Sequence, residues 1–302
     1  MEKLFRCEGL TKKIGEYMLE DISFEIEHGM ILGLIGINGS GKTTLIRTMT
    51  GSYRLDQTPE DKGELWIRDK HFRKDQKEYR KRIAFIMQDI PFSKNLYSKQ
   101  VGELYGPYYD GYDQEKYFRL LDEYKVPEKN FISDMSAGQQ IRLQLAFAMS
   151  HDAELYILDE PVGNIDPDFR DSFYGLLREI TADETKSVIL SSHLVTELEN
   201  IADSLLWIGQ KEKKGYVRFL GTIDDLRESY RIVEAEPELV ERLPSDMIVG
   251  SSVRESHKEV MIYLPDGKDF RTRLGEELYS ACRHADLQEI MYYVEKNRKE
   301  TP

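Results

Sequence analysis

The order of apolar segments predicts an α/β fold in which helices cover both faces of a mostly parallel sheet, with a smaller α+β appendage behind it. Three observations carry that reading. The runs "MILGLIG", "LYILDEP" and "SVILSSH" are short, continuous and apolar, as strands buried on both faces must be. Helix-spaced segments lie between them, so that strands and helices alternate. One of those strands runs directly into a glycine loop and then a helix, "GINGSGKTTLIRTMTG".

Along the chain, "EDISFEIEHG" alternates Ile22, Phe24 and Ile26 with polar neighbours, the pattern of a half-buried strand, and Gly29 ends it. "MILGLIG" follows as a buried strand, and Leu45, Ile46 and Met49 then repeat at helical spacing until Gly51. Between "IAFIMQDIPF" and "MSAGQQ" the chain reads as a helical insertion, about residues 90–150, with Tyr117, Leu120, Leu121 and Tyr124 on one helix face. After "LYILDEP", Pro167 opens a helix in "PDFRDSFYGLLREIT". The charged turn "KEKKG", Lys211 to Gly215, marks a change of character. "YVRFLGTIDDLRESY" and the alternating "MIVGSSV" and "EVMIYLPDG", with an Asp-Gly turn, read as the appendage. These signals divide the chain into 1–220 and 221–302, with the boundary between Arg218 and Tyr230.

Composition excludes several classes. A formal charge of -13 opposes general attraction to nucleic acid, so no nucleic-acid partner is expected. Two cysteines, Cys7 and Cys282, make no disulfide framework and no metal-ligand spacing, which fits a reducing compartment. The start "MEKLFRCEGLTKK" lacks an apolar core of signal length, and no run nears the roughly 20 apolar residues that span a bilayer, so any membrane connection goes through a partner.

The chemistry concentrates at strand ends. "GINGSGKTT" is a phosphate loop: Gly36, Ile37, Asn38, Gly39, Ser40 and Gly41 offer backbone N–H groups, Lys42 a point charge, and Thr43 a hydroxyl for Mg²⁺, with Thr44 beside it. Asp159 and Glu160 close a buried strand; adjacent strand residues face opposite ways, so Asp159 can turn to Mg²⁺ and Glu160 to an attacking water. Gln88 and His193 stand at the carboxyl ends of two more strands, Gln88 able to orient water or touch the metal through its carbonyl oxygen. "MSAGQQ" adds a second anion-gripping turn at a helix start, with Ser136, Gly138 and Gln139.

Six ordered motifs, "GINGSGKTT", Gln88, "MSAGQQ", "LYILDEP", "NIDP" and His193, resemble the nucleotide-binding subunit of an ABC transporter over about residues 1–220. The resemblance implies an antiparallel β subdomain and a helical subdomain on the core sheet, with ATP and Mg²⁺ as ligands. It makes Glu160 the general base, Gln88 the Q-loop glutamine, Asp166 the D-loop aspartate and His193 the switch histidine. It also implies head-to-tail pairing with a second ATPase subunit, a copy or a related chain, in which Ser136 and Gly138 bind the γ-phosphate held by the partner's Lys42 loop. "NLYSKQVGELYGPYYDGYD" and "GTIDDLRESYRIVEAEPELV" are similar to ATPases of bacterial ABC-2-type exporters, the antimicrobial-peptide and bacitracin-like group. That implies an integral membrane permease as partner and a peripheral place at the cytoplasmic face of the plasma membrane. The alternative class is an ABC ATPase uncoupled from transport, such as one serving iron-sulfur assembly.

Three motifs depart from the family pattern. Met135 and Ala137 replace the Leu and first Gly of the usual signature, and "GNID" retains only Asp166 and the apolar residue before it. Where an aromatic residue commonly stacks on adenine before a glycine, Ile14 precedes Gly15; Tyr17 lies close enough to substitute, or the base packs on aliphatic surface.

Overall fold

A computed structural model describes residues 3–254, 257–265 and 269–296. The chain forms two compact units, residues 1–193 with 201–220, and residues 194–200 with 221–302.

In the first unit, β1 (Lys3–Ile14) and β2 (Tyr17–Glu27) pair antiparallel across the Gly15 turn, and β3 (Ile31–Ile35) is buried at all five positions. Helix α1 (Lys42–Met49) follows the phosphate loop, and β4 (Lys62–Ile67) and the short β5 (Lys70–His71) extend the antiparallel edge. After α2 (Gln76–Lys81) and β6 (Ile83–Ile86) come α3 (Ser98–Tyr105), α4 (Gln114–Glu123) and α5 (Ala137–Ala148). Then β7 (Leu155–Asp159), α6 (Pro167–Thr181), β8 (Ser187–Ser191), β9 (Ser204–Lys211) and β10 (Lys214–Gly221) complete the unit.

These ten strands make one sheet in the order β5-β4-β1-β2-β10-β9-β3-β8-β7-β6. Every pairing in the run β9-β3-β8-β7-β6 is parallel. The apolar runs read as two-sided strands are therefore the centre of the sheet, and their carboxyl ends point the same way. One expectation changes. "YVRFLG" belongs to this sheet, because the chain reverses at Glu212, whose φ is 56°, and β10 returns beside β2 at Lys214↔Met18 and Gly215↔Leu19. A charged turn ended a strand here without ending the unit.

The helical insertion closes on Phe147 of α5, whose ring meets those of Phe92, Tyr109, Tyr112 and Tyr117 at centroid distances of 5.3–6.1 Å. That packing accounts for the tyrosine-rich stretch. Tyr117 and Leu121 are the fully buried residues of α4, and the Tyr117 hydroxyl donates to the Ser98 carbonyl at 2.7 Å.

The second unit contains α7 (Val195–Leu198), α8 (Ile223–Glu228), β11 (Tyr230–Ala235), α9 (Pro237–Val240), β12 (Ile248–Arg254), β13 (His257–Tyr263), α10 (Phe270–Ser280), β14 (Cys282–His284) and α11 (Leu287–Lys296). Its antiparallel sheet runs β12-β13-β11-β14, the split βαβ arrangement. Val233, Ala235, Val260 and Ile262 alternate along their strands into one apolar cluster with Phe270, Leu274 and Leu278. A single cut in the sequence makes no provision for residues 194–200, which cluster with this unit. The Asp266-Gly267 turn read from "LPDG" lies outside the described residues.

One buried ion pair fixes the segment that returns from α1 to β4. Lys12 is 0% exposed, and its Nζ donates to Asp61 Oδ2 at 2.6 Å, the Arg54 carbonyl at 2.7 Å and Gln57 Oε1 at 3.0 Å. Burial alone would raise the Asp61 pKa; Lys12 and the donors of Lys13 and Thr58 outweigh it and hold the carboxyl down at about 2. Removing one member of such a pair leaves the other charge buried and unmatched. Lys12→Met is therefore expected to lose about 3–5 kcal/mol of stability, read from urea denaturation monitored by circular dichroism.

Candidate functional site

Gly36, Gly39 and Gly41 have φ of 148°, 82° and 108°, so the loop between β3 and α1 follows a path closed to most side chains. A Cβ on Gly36 would lie 2.5 Å from both the Ile208 carbonyl oxygen and Ser40 Oγ, so glycine is required there for space as well as for φ. The loop opens on a cavity of about 730 Å³ lined by Ile37, Asn38, Gly39, Gly41, Lys42, Thr43 and Thr44, with Gln88, Glu160 and His193 opposite and Ile14 and Tyr17 at the side. Gly36 and Ser40 of the loop are not among the lining residues. Ser40 is fully buried, and its hydroxyl has no hydrogen-bond partner.

Lys42 is 6% exposed, and its Nζ donates to the Gly36 carbonyl at 2.7 Å. It lies 4.0 Å from Glu160 Oε1. The other Glu160 oxygen, Oε2, accepts the His193 backbone N–H at 3.1 Å and is also in hydrogen-bond contact with His193 Nδ1. Glu160 thus stands between a cation and the imidazole, at the place in the cavity where an anion would meet both.

Asp159 closes β7 and is 3% exposed. Its Oδ2 accepts from Thr43 Oγ1 at 3.1 Å and its Oδ1 from Ser191 Oγ at 2.8 Å. Burial pushes its pKa above the ordinary carboxylate value, against these two hydrogen bonds and the charge of Lys42; the neighbouring Glu160 carboxylate adds to the rise. Among the described residues no cluster of three or more acidic, His or Cys side chains could hold a metal by itself. A hydroxyl and one carboxylate beside a phosphate cradle is instead the hard-oxygen donor set that suits Mg²⁺, which takes a few protein oxygens and shares the rest with phosphate and water.

The division of labour between Asp159 and Glu160 has a different origin from strand alternation. Glu160 lies beyond β7 with φ 51°, a left-handed backbone that a non-glycine residue adopts at a cost. Its N–H is held by the Ser191 hydroxyl at 3.0 Å and the Ser191 carbonyl at 3.2 Å. Ser191, fully buried on β8 and in register with Asp159, therefore orients both carboxylates. Sequence reading passed over it, although it is two residues before His193 on the strand already singled out.

Gln144 was also missed. Buried on α5, its side-chain amide accepts the Met87 N–H at 2.9 Å and donates to the Met87 carbonyl at 3.0 Å, capping β6 next to Gln88. The helix that performs this starts at Ser136, whose Oγ accepts the Gln139 N–H at 3.2 Å while Gln139 Oε1 accepts the Ser136 N–H at 2.9 Å. Asp166 caps α6 by accepting the Phe169 N–H at 3.1 Å and forms an ion pair with Arg142 of α5. Ser136, Gly138, Gln139 and Asp166 do not line the cavity, and neither do Asp159, Gly36 and Ser40; Gln88, Glu160, His193 and the rest of the phosphate loop do.

A parallel sheet with a phosphate loop at a strand end, a carboxylate pair on the next strand but one and a histidine between defines a nucleotide-hydrolysing P-loop protein. The ABC transporter family model matches residues 19–163. An uncharacterized ABC transporter ATP-binding protein of Bacillus subtilis, YdbJ, is 30% identical over 258 residues, covering 78% of this chain and 76% of that protein. The bacitracin transport ATP-binding protein BcrA of Enterococcus faecalis is 29% identical over 207 residues, 67% of this chain and 65% of its own. A solved structure of an ATP-binding subunit of an ABC transporter superposes with a TM-score of 0.64 at 25% identity, covering 74% of this chain and 92% of that one. The chain belongs to the ATP-binding proteins of ABC transporters and is an ATPase.

Ser191→Ala removes one of two hydrogen bonds to Asp159 and a tie on the strained Glu160 backbone. It is expected to lower ATP turnover about tenfold, in a steady-state phosphate-release assay, with little change in nucleotide affinity.

Proposed function

We propose that this chain powers an exporter, working as a head-to-tail pair with a second ATPase subunit and coupled to a separate integral membrane permease at the cytoplasmic face of the plasma membrane. One observation carries the paired mechanism: the second anion-gripping turn is built and capped, yet Ser136, Gly138, Gln139 and Asp166 are absent from the wall of the cavity that holds Lys42. In this reading that turn serves the nucleotide of another chain. The permease is what membership of the family supports; among the described residues no helix is long and apolar enough to cross a membrane. The exporter reading rests on the resemblance of the helical insertion and the appendage to ABC-2-type exporter ATPases; the relative BcrA is named for bacitracin transport without a direction.

In this reading Lys42 and the loop N–H groups bind the β- and γ-phosphates of ATP. Thr43 and Asp159, with the Gln88 carbonyl oxygen, would hold Mg²⁺, which neutralises phosphate charge and relieves the buried Asp159 carboxylate. A γ-phosphate arriving between Lys42 and His193 competes with Glu160 for both. The displaced carboxylate turns to a water, whose oxygen attacks the γ-phosphorus as the bond to the bridging oxygen breaks, and its proton goes to Glu160. ADP and phosphate result, and the anion that bridged Lys42 to the partner's Ser136 turn is lost. Asp166, through Arg142, ties α6 to the same α5 that carries that turn.

Glu160→Gln is expected to keep ATP affinity while losing at least about a hundredfold in hydrolysis, leaving an ATP-bound dimer on size exclusion. Adding Ser136→Arg to that variant should return it to monomer with nucleotide still bound; persistence of the dimer would remove the shared-site reading. Purification from native membranes should bring down a polytopic membrane protein, and recovery with assembly or ribosomal proteins instead would overturn the transport assignment.

A further inference from the structure

Tyr17 has an unexplained posture. It begins β2, lines the cavity beside Ile14, and its hydroxyl donates to the carbonyl oxygen of Ser40 in the phosphate loop. Room for that contact is made by two glycines from different parts of the chain. A Cβ on Gly41 would stand 2.1 Å from Tyr17 Oη; one on Gly215, in β10, would stand 2.1 Å from the same atom and 2.5 Å from the Ser40 oxygen. Gly215 pairs with Leu19, two residues along β2 from Tyr17, so the sheet register itself delivers the gap.

The consequence lies in the peptide plane. In a trans peptide the carbonyl of one residue and the N–H of the next point in opposite directions. Fixing the Ser40 carbonyl on Tyr17 therefore aims the Gly41 N–H away from Tyr17. Gly41, at φ 108°, has no side chain to restrain the plane in any other way, and its residue lines the phosphate side of the cavity. A loop whose N–H groups are set before the anion arrives binds it without an ordering cost.

We propose that Tyr17 is a positioning residue of the phosphate loop, acting through its hydroxyl on the Ser40–Gly41 peptide to preset the Gly41 N–H for the β-phosphate, and that Gly215 exists to admit it. This rests on the reading that the cavity takes a nucleotide. It separates the two parts of Tyr17: the ring borders the nucleoside side, while the hydroxyl serves the phosphates. Burial pushes the phenol up to about 12, so the hydroxyl stays protonated and donates throughout the neutral range.

The test measures displacement of a fluorescent ADP analogue from the full chain by ADP, AMP and GDP. Tyr17→Phe keeps the ring and deletes the donor; ADP and GDP should each bind about fivefold more weakly, as expected for one lost hydrogen bond, with the ADP to GDP ratio and the AMP affinity unchanged. Gly215→Ala, whose Cβ would also meet the Ser40 carbonyl oxygen at 2.5 Å, should weaken ADP and GDP at least as much and lower the melting temperature, so Tyr17→Phe, which adds no atom, carries the test. Wild-type ADP affinity in Tyr17→Phe overturns the proposal. So does an equal loss for AMP, which would make Tyr17 a nucleoside contact. Failure of the wild-type chain to bind any of these nucleotides would instead sink the nucleotide site itself, so the two failures are distinguishable.

Discussion

The site depends on a single buried carboxylate, Asp159, held from two sides. Thr43 on α1 and Ser191 on β8 donate to its two oxygens, and the same Ser191 hydroxyl accepts the N–H of Glu160. Three elements far apart in sequence thus meet at one group with hardly any exposure to water. A buried, unpaired charge is costly, and the raised pKa of Asp159 records that cost. Two neutral donors offset part of it, which leaves a carboxylate with reason to attract a cation. The structural requirement of the sheet and the chemical requirement of the site are then the same requirement.

From that point the strain at Glu160 becomes intelligible. Had β7 continued straight, Glu160 would face the opposite side of the sheet from Asp159. The left-handed turn at φ 51° instead swings it to the cavity, beside Lys42 and His193. Such a conformation persists only where the surroundings hold it, and here Ser191 supplies both its hydroxyl and its carbonyl to one N–H. Strand alternation is therefore not what turns the two carboxylates apart. Alternation is a property of the strand, and the strand had ended one residue earlier.

The legible parts share a physical cause: they are local. Strand, loop and helix around Gly36 to Thr44 are contiguous, so "GINGSGKTT" could be read as a unit, and the two-sided apolar runs announced the parallel centre of the sheet. Ser191 and Gln144 were not legible because their partners are 32 and 57 residues away, and nothing in a serine on a strand or a glutamine on a helix announces a distant backbone group. The place of β10 was hidden for the same reason. Its pairing with β2 joins residues nearly two hundred apart, and a charged turn looks alike whether it ends a unit or turns a hairpin.

Helix α5 brings these threads together. Its first turn is capped by Ser136 and Gln139, and these residues are not among those lining the cavity. Its second and third turns hold Asp166 through Arg142 and the Met87 backbone through Gln144, one residue short of Gln88. A displacement of α5 would therefore carry the α6 cap and the segment before Gln88 with it, because both are bonded to the same helix. Gln144 makes paired bonds to the N–H and C=O of Met87, the residue that follows the edge strand β6, as a neighbouring strand would. The capped turn and the segment that borders the cavity in its own chain are thereby joined through a single helix.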